Sequence, residues 1–238
     1  PYTTLFRSVC IYRIPKGTFF TEKHSYCPKC GQPLKWYDMV PVFSWIFLGG
    51  KCRNCKEKIS ARYPIVESLN AVLWTLSAYF IGLNANAFIY DALFSALIVM
   101  TFIDIDTKEI PNGIVVFIII LSIPLFFTAK DVVWWHRLVG AVVISVPLYV
   151  IALVTGGIGG GDIKLYFALG LVLGLYPTLV SAFIAIVSAG LIGGVLLLTK
   201  KVRKGYELPL GPFIALGAVV TVFAGTPIID GIKNLFGI

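Results

Sequence analysis

Long apolar segments dominate this chain and restrict what it can fold into. Seven of them lie at about 65–83, 88–104, 112–128, 138–154, 163–176, 178–198 and 208–224. A membrane-spanning helix needs roughly 20 mostly apolar residues. Charged residues make up 13% of the 238 residues, about half the usual share of a soluble protein, and the mean hydropathy is +0.87. We therefore predict an all-α polytopic membrane protein with a bundle of about seven transmembrane helices, and we exclude a disordered chain, a disulfide scaffold and an ordinary soluble enzyme.

Glycine, proline and asparagine clusters suggest where the apolar segments end. Tight turns are expected at 84–87, in the glycine run 156–161 and at Tyr176-Pro177. With these turns, successive segments cross the membrane in alternating directions.

The lysines and arginines are placed unevenly along the chain. Eleven of the 20 precede the first apolar segment. If residues 1–64 are cytoplasmic, 17 cations fall inside and only Lys130, Arg137 and Lys233 fall outside. The positive-inside rule favours this orientation strongly. Membrane topology thus accounts for the net charge of +8, and we expect the lipid bilayer, and no nucleic acid, as the partner of this basic chain.

Two CxxC pairs, Cys27/Cys30 and Cys52/Cys55, stand in the basic region, 21 residues apart. Two such pairs suit one tetrahedral zinc ion bound by four thiolates, which leave no open position for catalysis. Free or redox-active thiols are the alternative. The region has few core residues, so a structural zinc would supply stability. We predict a small, cytoplasmic, zinc-ribbon-like domain with four cysteine ligands over residues 9–62, followed by a transmembrane domain over 63–238.

Two aspartates stand at the edges of apolar segments. Asp104 ends one segment, and Asp162 follows the run Gly159-Gly160-Gly161 at the start of another. The predicted topology puts both at the cytoplasmic face, where two carboxyl groups that meet could share a proton and act as the acid and base of an aspartic protease. The alternative for each is a solvated helix cap, and Asp162 is well placed as an N-cap. The chain has no HExxH, GxSxG or P-loop motif.

The ordered set of motifs closely resembles the type IV prepilin peptidases, a family of GxGD aspartic proteases that also methylate their product. Three blocks carry the likeness: the run from Asp104 to Pro111-Asn112, the run from Gly159 to Asp162-Ile163-Lys164, and the region from Cys27 to Glu67.

The resemblance implies catalysis by Asp104 and Asp162. It also implies removal of a basic leader peptide from prepilins or pseudopilins of pilus and secretion systems, at the cytoplasmic face of the bacterial inner membrane. N-methylation of the new N-terminal residue with S-adenosylmethionine would follow. The residues that bind the methyl donor, and the roles of Glu67, Asp91 and Asp106, are left open.

The first eight residues are expected not to belong to the natural protein. They can be encoded by CCC TAC ACG ACG CTC TTC CGA TCT, which matches a common sequencing adapter, so we expect residues 1–8 to be translated adapter. The resemblance implies eight helices in the family, and seven here agree with loss of the first.

Two other functions fit parts of the pattern. The chain could be another GxGD membrane peptidase of the preflagellin type, although the two CxxC pairs argue against it. It could instead be a non-enzymatic membrane scaffold or a transporter with a structural zinc site, in which the aspartates serve as proton or cation sites.

Overall fold

A computed structural model of the chain describes residues 6–18, 25–27, 29–40, 42–129, 132–202 and 207–236. Residues 1–5 of the segment attributed to adapter sequence lie outside these ranges. Contacts divide the chain into two compact units, Pro1–Tyr79 and Phe80–Ile238. The boundary at residues 62 and 63 stays a prediction, since the division by contacts falls near the end of a helix that begins at Arg62.

Helices form most of the described residues. The first unit holds α1 (Phe6–Arg13), a 3₁₀ turn (Trp36–Met39), α2 (Phe43–Phe47) and α3 (Arg62–Phe80). The second unit holds α4 (Ala85–Thr107), α5 (Asn112–Thr128), α6 (Trp134–Thr155), α7 (Gly160–Leu173), α8 (Leu175–Leu198) and α9 (Gly211–Phe236). Extended pairing in the described ranges is limited to two isolated bridges, Tyr26–Pro33 and Lys51–Lys58. The predicted all-α fold class is confirmed.

Each of the seven predicted apolar segments coincides with one of the helices α3 to α9. Four of these, α4, α6, α8 and α9, are long and apolar enough to cross a membrane. Helix α5 is a shorter apolar helix of 17 residues, and α7 has only 14 residues. Helix α3 carries the buried polar residues Glu67 and Asn70. Length and composition alone therefore indicate four membrane-capable helices among the described residues.

Two of the predicted turns are displaced. Helix α7 ends at Gly174, whose φ of +84° favours glycine, and α8 continues through Tyr176 and Pro177. Proline is tolerated there because the N–H groups of a first helical turn have no intrahelical acceptor. Residue Asn84 does not sit in a turn that extends to residue 87; it is the N-cap of α4, and its side chain accepts a hydrogen bond from the Ala87 N–H.

Helix α7 lies at the centre of the second unit and packs against α5, α6, α8 and α9. Its closest neighbour is α6, because Gly140 and Gly170 let the two backbones touch, and a Cβ atom on Gly170 would collide with the Gly140 carbonyl. Arg137 of α6 is fully buried and donates hydrogen bonds to the carbonyls of Leu171 and Val172 in the last turn of α7. The positive-inside count predicts that Arg137 lies outside the membrane on an outer loop. Its side chain is buried between α6 and α7 instead, where it donates hydrogen bonds to carbonyl groups that have no donor within their own helix.

Candidate functional site

Asp104 lies in the last turn of α4, where the helix is stopped by Lys108 in the left-handed conformation. The side chain is 4% exposed. Its Oδ2 atom accepts a hydrogen bond of 2.8 Å from the backbone N–H of Gly211, the first residue of α9. Helix α9 packs along α4, so this contact ties the carboxyl group to the start of a helix distant in sequence.

Gly211 is a site residue that the sequence reasoning missed. A Cβ atom at this position would lie 2.6 Å from Asp104 Oδ2 and 2.8 Å from Met100 Sδ. Only glycine leaves enough room for the backbone N–H to approach the carboxylate. The available signal was the run Pro209-Leu210-Gly211-Pro212 at the start of the last apolar segment.

Asp162 lies in the first turn of α7 and is partly buried. The N-cap is Gly159, so the alternative that Asp162 is itself the N-cap is wrong. Asp162 is the third residue of the helix, and its backbone N–H donates a hydrogen bond of 3.1 Å to the Gly159 carbonyl. An acidic side chain at this position can reach back to the N-cap N–H group, and glycine at the N-cap leaves the approach open, since a Cβ there would be 3.1 Å from Oδ2.

The two aspartate segments pack against each other. The Lys164 ammonium group donates a hydrogen bond of 3.1 Å to the Asn112 side chain. A Cβ atom on Gly161 would lie 2.9 Å from Ile110 Cβ, so the segment before α5 touches the glycine run. Helix α5 packs on both α4 and α7. The structure thus brings the run from Asp104 to Asn112 together with the run from Gly159 to Lys164.

The carboxyl groups of Asp104 and Asp162 are close enough for their charges to interact. Both are at least partly shielded from water, and two like charges in such a setting favour a state in which one of the two groups holds a proton. One ionised and one protonated carboxyl is the combination that can activate a water molecule and protonate a leaving or carbonyl group. The geometry therefore suits paired acid–base chemistry.

The other acids near the membrane segments differ from this pair. Asp106 is exposed at the end of α4, whereas Asp91 is buried about four turns earlier in the same helix. Glu67 is buried in α3 of the first unit and lines a cavity there.

The four predicted metal ligands, Cys27, Cys30, Cys52 and Cys55, form one cluster. Their sulfur atoms all lie within 4.8 Å of one another, and Cys27 Sγ is 3.7 Å from Cys55 Sγ. Tetrahedral zinc with Zn–S bonds of about 2.3 Å requires sulfur atoms roughly 3.8 Å apart. The cluster therefore has the ligand set and spacing to hold one metal ion.

The two CxxC pairs have the same local backbone structure. In the first, the Gly31 N–H bonds the Cys27 carbonyl, and in the second the Lys56 N–H bonds the Cys52 carbonyl. Gly31 and Lys56 occupy equivalent positions, and both have positive φ, +69° and +59°. Each turn aims its two sulfur atoms at the other pair.

The thiols interact strongly when no metal holds them. A backbone hydrogen bond from Glu57 lowers the pKa of the Cys55 thiol, but desolvation and hydrogen bonds with the other three cysteines outweigh it and raise that pKa to about 11. A metal cation would reverse this balance, because it stabilises the thiolates that otherwise repel one another.

Both parts of the chain are similar to known proteins. Residues 2–81 match a model described as the bacterial peptidase A24 N-terminal domain, and residues 92–194 match the type IV leader peptidase family. A prepilin leader peptidase/N-methyltransferase of Bacillus subtilis is 33% identical over 220 residues, covering 92% of this chain and 88% of the relative. Those of Stutzerimonas stutzeri and Neisseria gonorrhoeae are each 32% identical, covering 90% and 89% of this chain and 77% and 83% of the relatives. No solved structure matches significantly.

Proposed function

The chain belongs to the type IV leader peptidase family, and on that premise we propose that it is a bacterial membrane aspartic endopeptidase that also methylates its product. Its substrates are prepilins or pseudopilins. It removes their leader peptide and then N-methylates the newly exposed N-terminal residue. The observation that carries the peptidase assignment is the packing of the segment after Asp104 against the segment around Asp162, where Lys164 donates a hydrogen bond to the Asn112 side chain and Gly161 lies against Ile110.

In the proposed reaction, one of the two carboxylates accepts a proton from water as the water attacks the scissile carbonyl carbon. The other, protonated, carboxyl group donates to the carbonyl oxygen, which gives a neutral tetrahedral intermediate. Collapse of this intermediate breaks the C–N bond, and a proton passes to the leaving nitrogen. Gly211 holds Asp104 in place for this exchange through its N–H group.

We place the aspartate pair at the cytoplasmic face of the bacterial inner membrane. The support is the charge distribution, since Lys108 and Lys164 belong to the same end of the second unit as the two aspartates. A cytoplasmic site lets a substrate with a basic leader keep its charges out of the bilayer, where each would be costly.

The cysteine cluster is proposed to hold a structural zinc ion, with Cys27, Cys30, Cys52 and Cys55 as its ligands. Zinc with four thiolates has no open coordination position, so it would stabilise the fold rather than take part in the reaction. The few partly buried apolar residues packed against the cluster, among them Leu34 and Ile59, form only a small core.

The two activities can be separated in one assay. Purified protein in detergent is incubated with a synthetic prepilin peptide, with or without S-adenosylmethionine, and the product N-terminus is read by mass spectrometry. We expect cleavage at a single bond in both samples and an added methyl group only with the donor. A product that is cleaved but never methylated would restrict the function to a peptidase. A substrate that a known prepilin peptidase cleaves and this protein leaves intact would favour a transporter or a scaffold.

A further inference from the structure

Helix α2 in the first unit presents an apolar face to its surroundings. Phe43, Ile46 and Phe47 are 63%, 60% and 86% exposed. Their spacing of three and four residues puts them on one face of the helix, and we call this face the α2 tip. Exposed apolar side chains that are scattered singly are normal on a protein surface, but three together on one short helix indicate a contact surface.

The opposite face of α2 is attached to the rest of the unit through Trp45. The indole Nε1 donates a hydrogen bond of 3.1 Å to the Ile59 carbonyl. The same ring packs on Gly50, where a Cβ atom would lie only 2.9 Å from it. Trp45 therefore holds the helix from its inner side, and packing within the unit does not account for the α2 tip.

Two lysines lie side by side shortly after α2. Lys51 and Lys58 face each other in an isolated antiparallel bridge, and both are exposed. Backbone bonds of 2.7 and 2.8 Å on either side of them make this a non-hydrogen-bonded pair, in which opposite side chains lie closest. Like charges directly opposite each other are destabilising. This lysine pair therefore suits the binding of an anion better than it suits the stability of the turn.

Acidic side chains among the described residues of this unit do not neutralise the lysine pair. Asp38 forms an ion pair of 2.8 Å with Arg53, and Glu57 forms one of 2.6 Å with Lys29. The two positive charges of the lysine pair thus remain available to a ligand outside the described part of the chain.

We propose that the α2 tip and the lysine pair bind the anionic surface of the lipid bilayer. At such a surface, apolar side chains enter the boundary between headgroups and acyl chains, and neighbouring lysines are attracted to anionic lipids. Phe47 and Lys51 are four residues apart, so their Cα atoms are separated by at most about 14 Å and both can reach one surface.

A bilayer fits the α2 tip better than a protein partner does. A stable protein interface buries about 800 Å² on each side, which is more than three side chains of one short helix can supply. The bilayer is also within reach, because the first unit is joined to α4, a membrane-capable helix. The proposal does not depend on the catalytic pair or on methylation, so it stands or falls separately from the proposed function.

Site-specific photocrosslinking of the full chain tests the proposal. The variant Phe47→p-benzoylphenylalanine keeps an aromatic ring at the most exposed position of the α2 tip. It is placed in nanodiscs of phosphatidylcholine and phosphatidylglycerol in equal amounts and irradiated, and the adducts are identified by mass spectrometry. The same measurement is made with Lys51→Gln/Lys58→Gln added. Its matched control is Lys35→Gln/Lys56→Gln, which removes two exposed lysines of the same unit that are not paired with each other.

We expect adducts to lipid, with phosphatidylglycerol enriched over phosphatidylcholine at least about fivefold, the preference that one lysine near an anionic surface provides. The enrichment should disappear with Lys51→Gln/Lys58→Gln and persist with Lys35→Gln/Lys56→Gln. Adducts to protein without any to lipid, or no adduct, would overturn the proposal. Equal enrichment in the two double variants would overturn the part assigned to the lysine pair.

Hydrogen exchange of the unsubstituted chain provides a second measurement that needs no crosslinker. It decides the question if the crosslinking variant unfolds at a lower temperature than the wild type. Backbone amides of residues 43–49 should exchange about fivefold more slowly in phosphatidylglycerol nanodiscs than in phosphatidylcholine nanodiscs. Equal exchange rates in the two lipids would overturn the proposal.

Discussion

The carboxylate of Asp104 and the backbone N–H of Gly211 are joined by a hydrogen bond of 2.8 Å between residues 107 positions apart. The bond holds one acid of the proposed catalytic pair against the first residue of α9. The position of the Asp104 carboxylate therefore depends on Gly211, which has no side chain that could take part in the reaction.

Replacement of Gly211 by alanine should therefore impair cleavage. The new Cβ would lie 2.6 Å from Asp104 Oδ2, so the carboxyl group must move, and a displacement of about 1 Å can cost about 100-fold in rate. Initial rates of leader cleavage measure the effect. Gly190→Ala is the matched control, because a Cβ there meets nothing within 4 Å. Equal rates for Gly211→Ala and the wild type would mean that this contact does not position Asp104.

The contact between α6 and α7 should tolerate no side chain at Gly170. A Cβ atom would collide with the Gly140 carbonyl and force the two helices apart. Overpacking of this kind costs typically about 1–3 kcal/mol, so Gly170→Ala should lower the thermal unfolding temperature in detergent. Gly194→Ala, on the open side of α8, should leave it unchanged. An unshifted transition in Gly170→Ala would contradict the close backbone approach.

Loss of one cysteine ligand should release the proposed zinc ion. Cys52 is buried in the cluster, and with Cys52→Ser the purified chain should carry much less than one zinc per molecule by elemental analysis. The first unit should then unfold earlier, because zinc binding is coupled to folding. Cys10→Ser, which replaces the cysteine outside the cluster, should retain the metal. Equal zinc contents in the two variants would refute the assignment.

Substitutions at the equivalent positions of the two CxxC turns, Lys56 and Gly31, should have opposite effects on the stability of the first unit. Lys56 adopts a φ of +59°, which costs a non-glycine residue about 1–2 kcal/mol, partly offset by the greater freedom of glycine in the unfolded chain. Lys56→Gly should therefore stabilise the first unit by up to about 1 kcal/mol, whereas Gly31→Lys should destabilise it by a similar amount. Urea unfolding of the two variants shows both effects. A destabilised Lys56→Gly would mean that the lysine side chain, rather than the backbone, matters there.

The sequence predicts those features that depend on local pattern. Apolar segments and the CxxC spacing are local, and they correctly indicate the helices α3 to α9 and the cluster of Cys27, Cys30, Cys52 and Cys55. The sequence predicts the turn at Tyr176-Pro177 because proline usually breaks a helix. The chain breaks at Gly174 instead, since the first turn of a helix tolerates the proline at position 177. A local pattern shows neither the packing of α9 on α4 nor that of α6 on α7. The parts played by Gly211 and Arg137 depend on that packing, and they become visible only in the folded chain.

The proposal that Asp104 and Asp162 form a catalytic pair is tested by three matched substitutions. Asp104→Asn, Asp162→Asn and Asp106→Asn each remove one carboxylate with little change in shape, and Asp106 is exposed two residues beyond Asp104. Leader cleavage by membranes that contain equal amounts of each variant is read by mass spectrometry of the product. We predict that cleavage is lost with Asp104→Asn and with Asp162→Asn and is retained with Asp106→Asn. Cleavage at the wild-type rate by either of the first two variants would contradict the proposed pair.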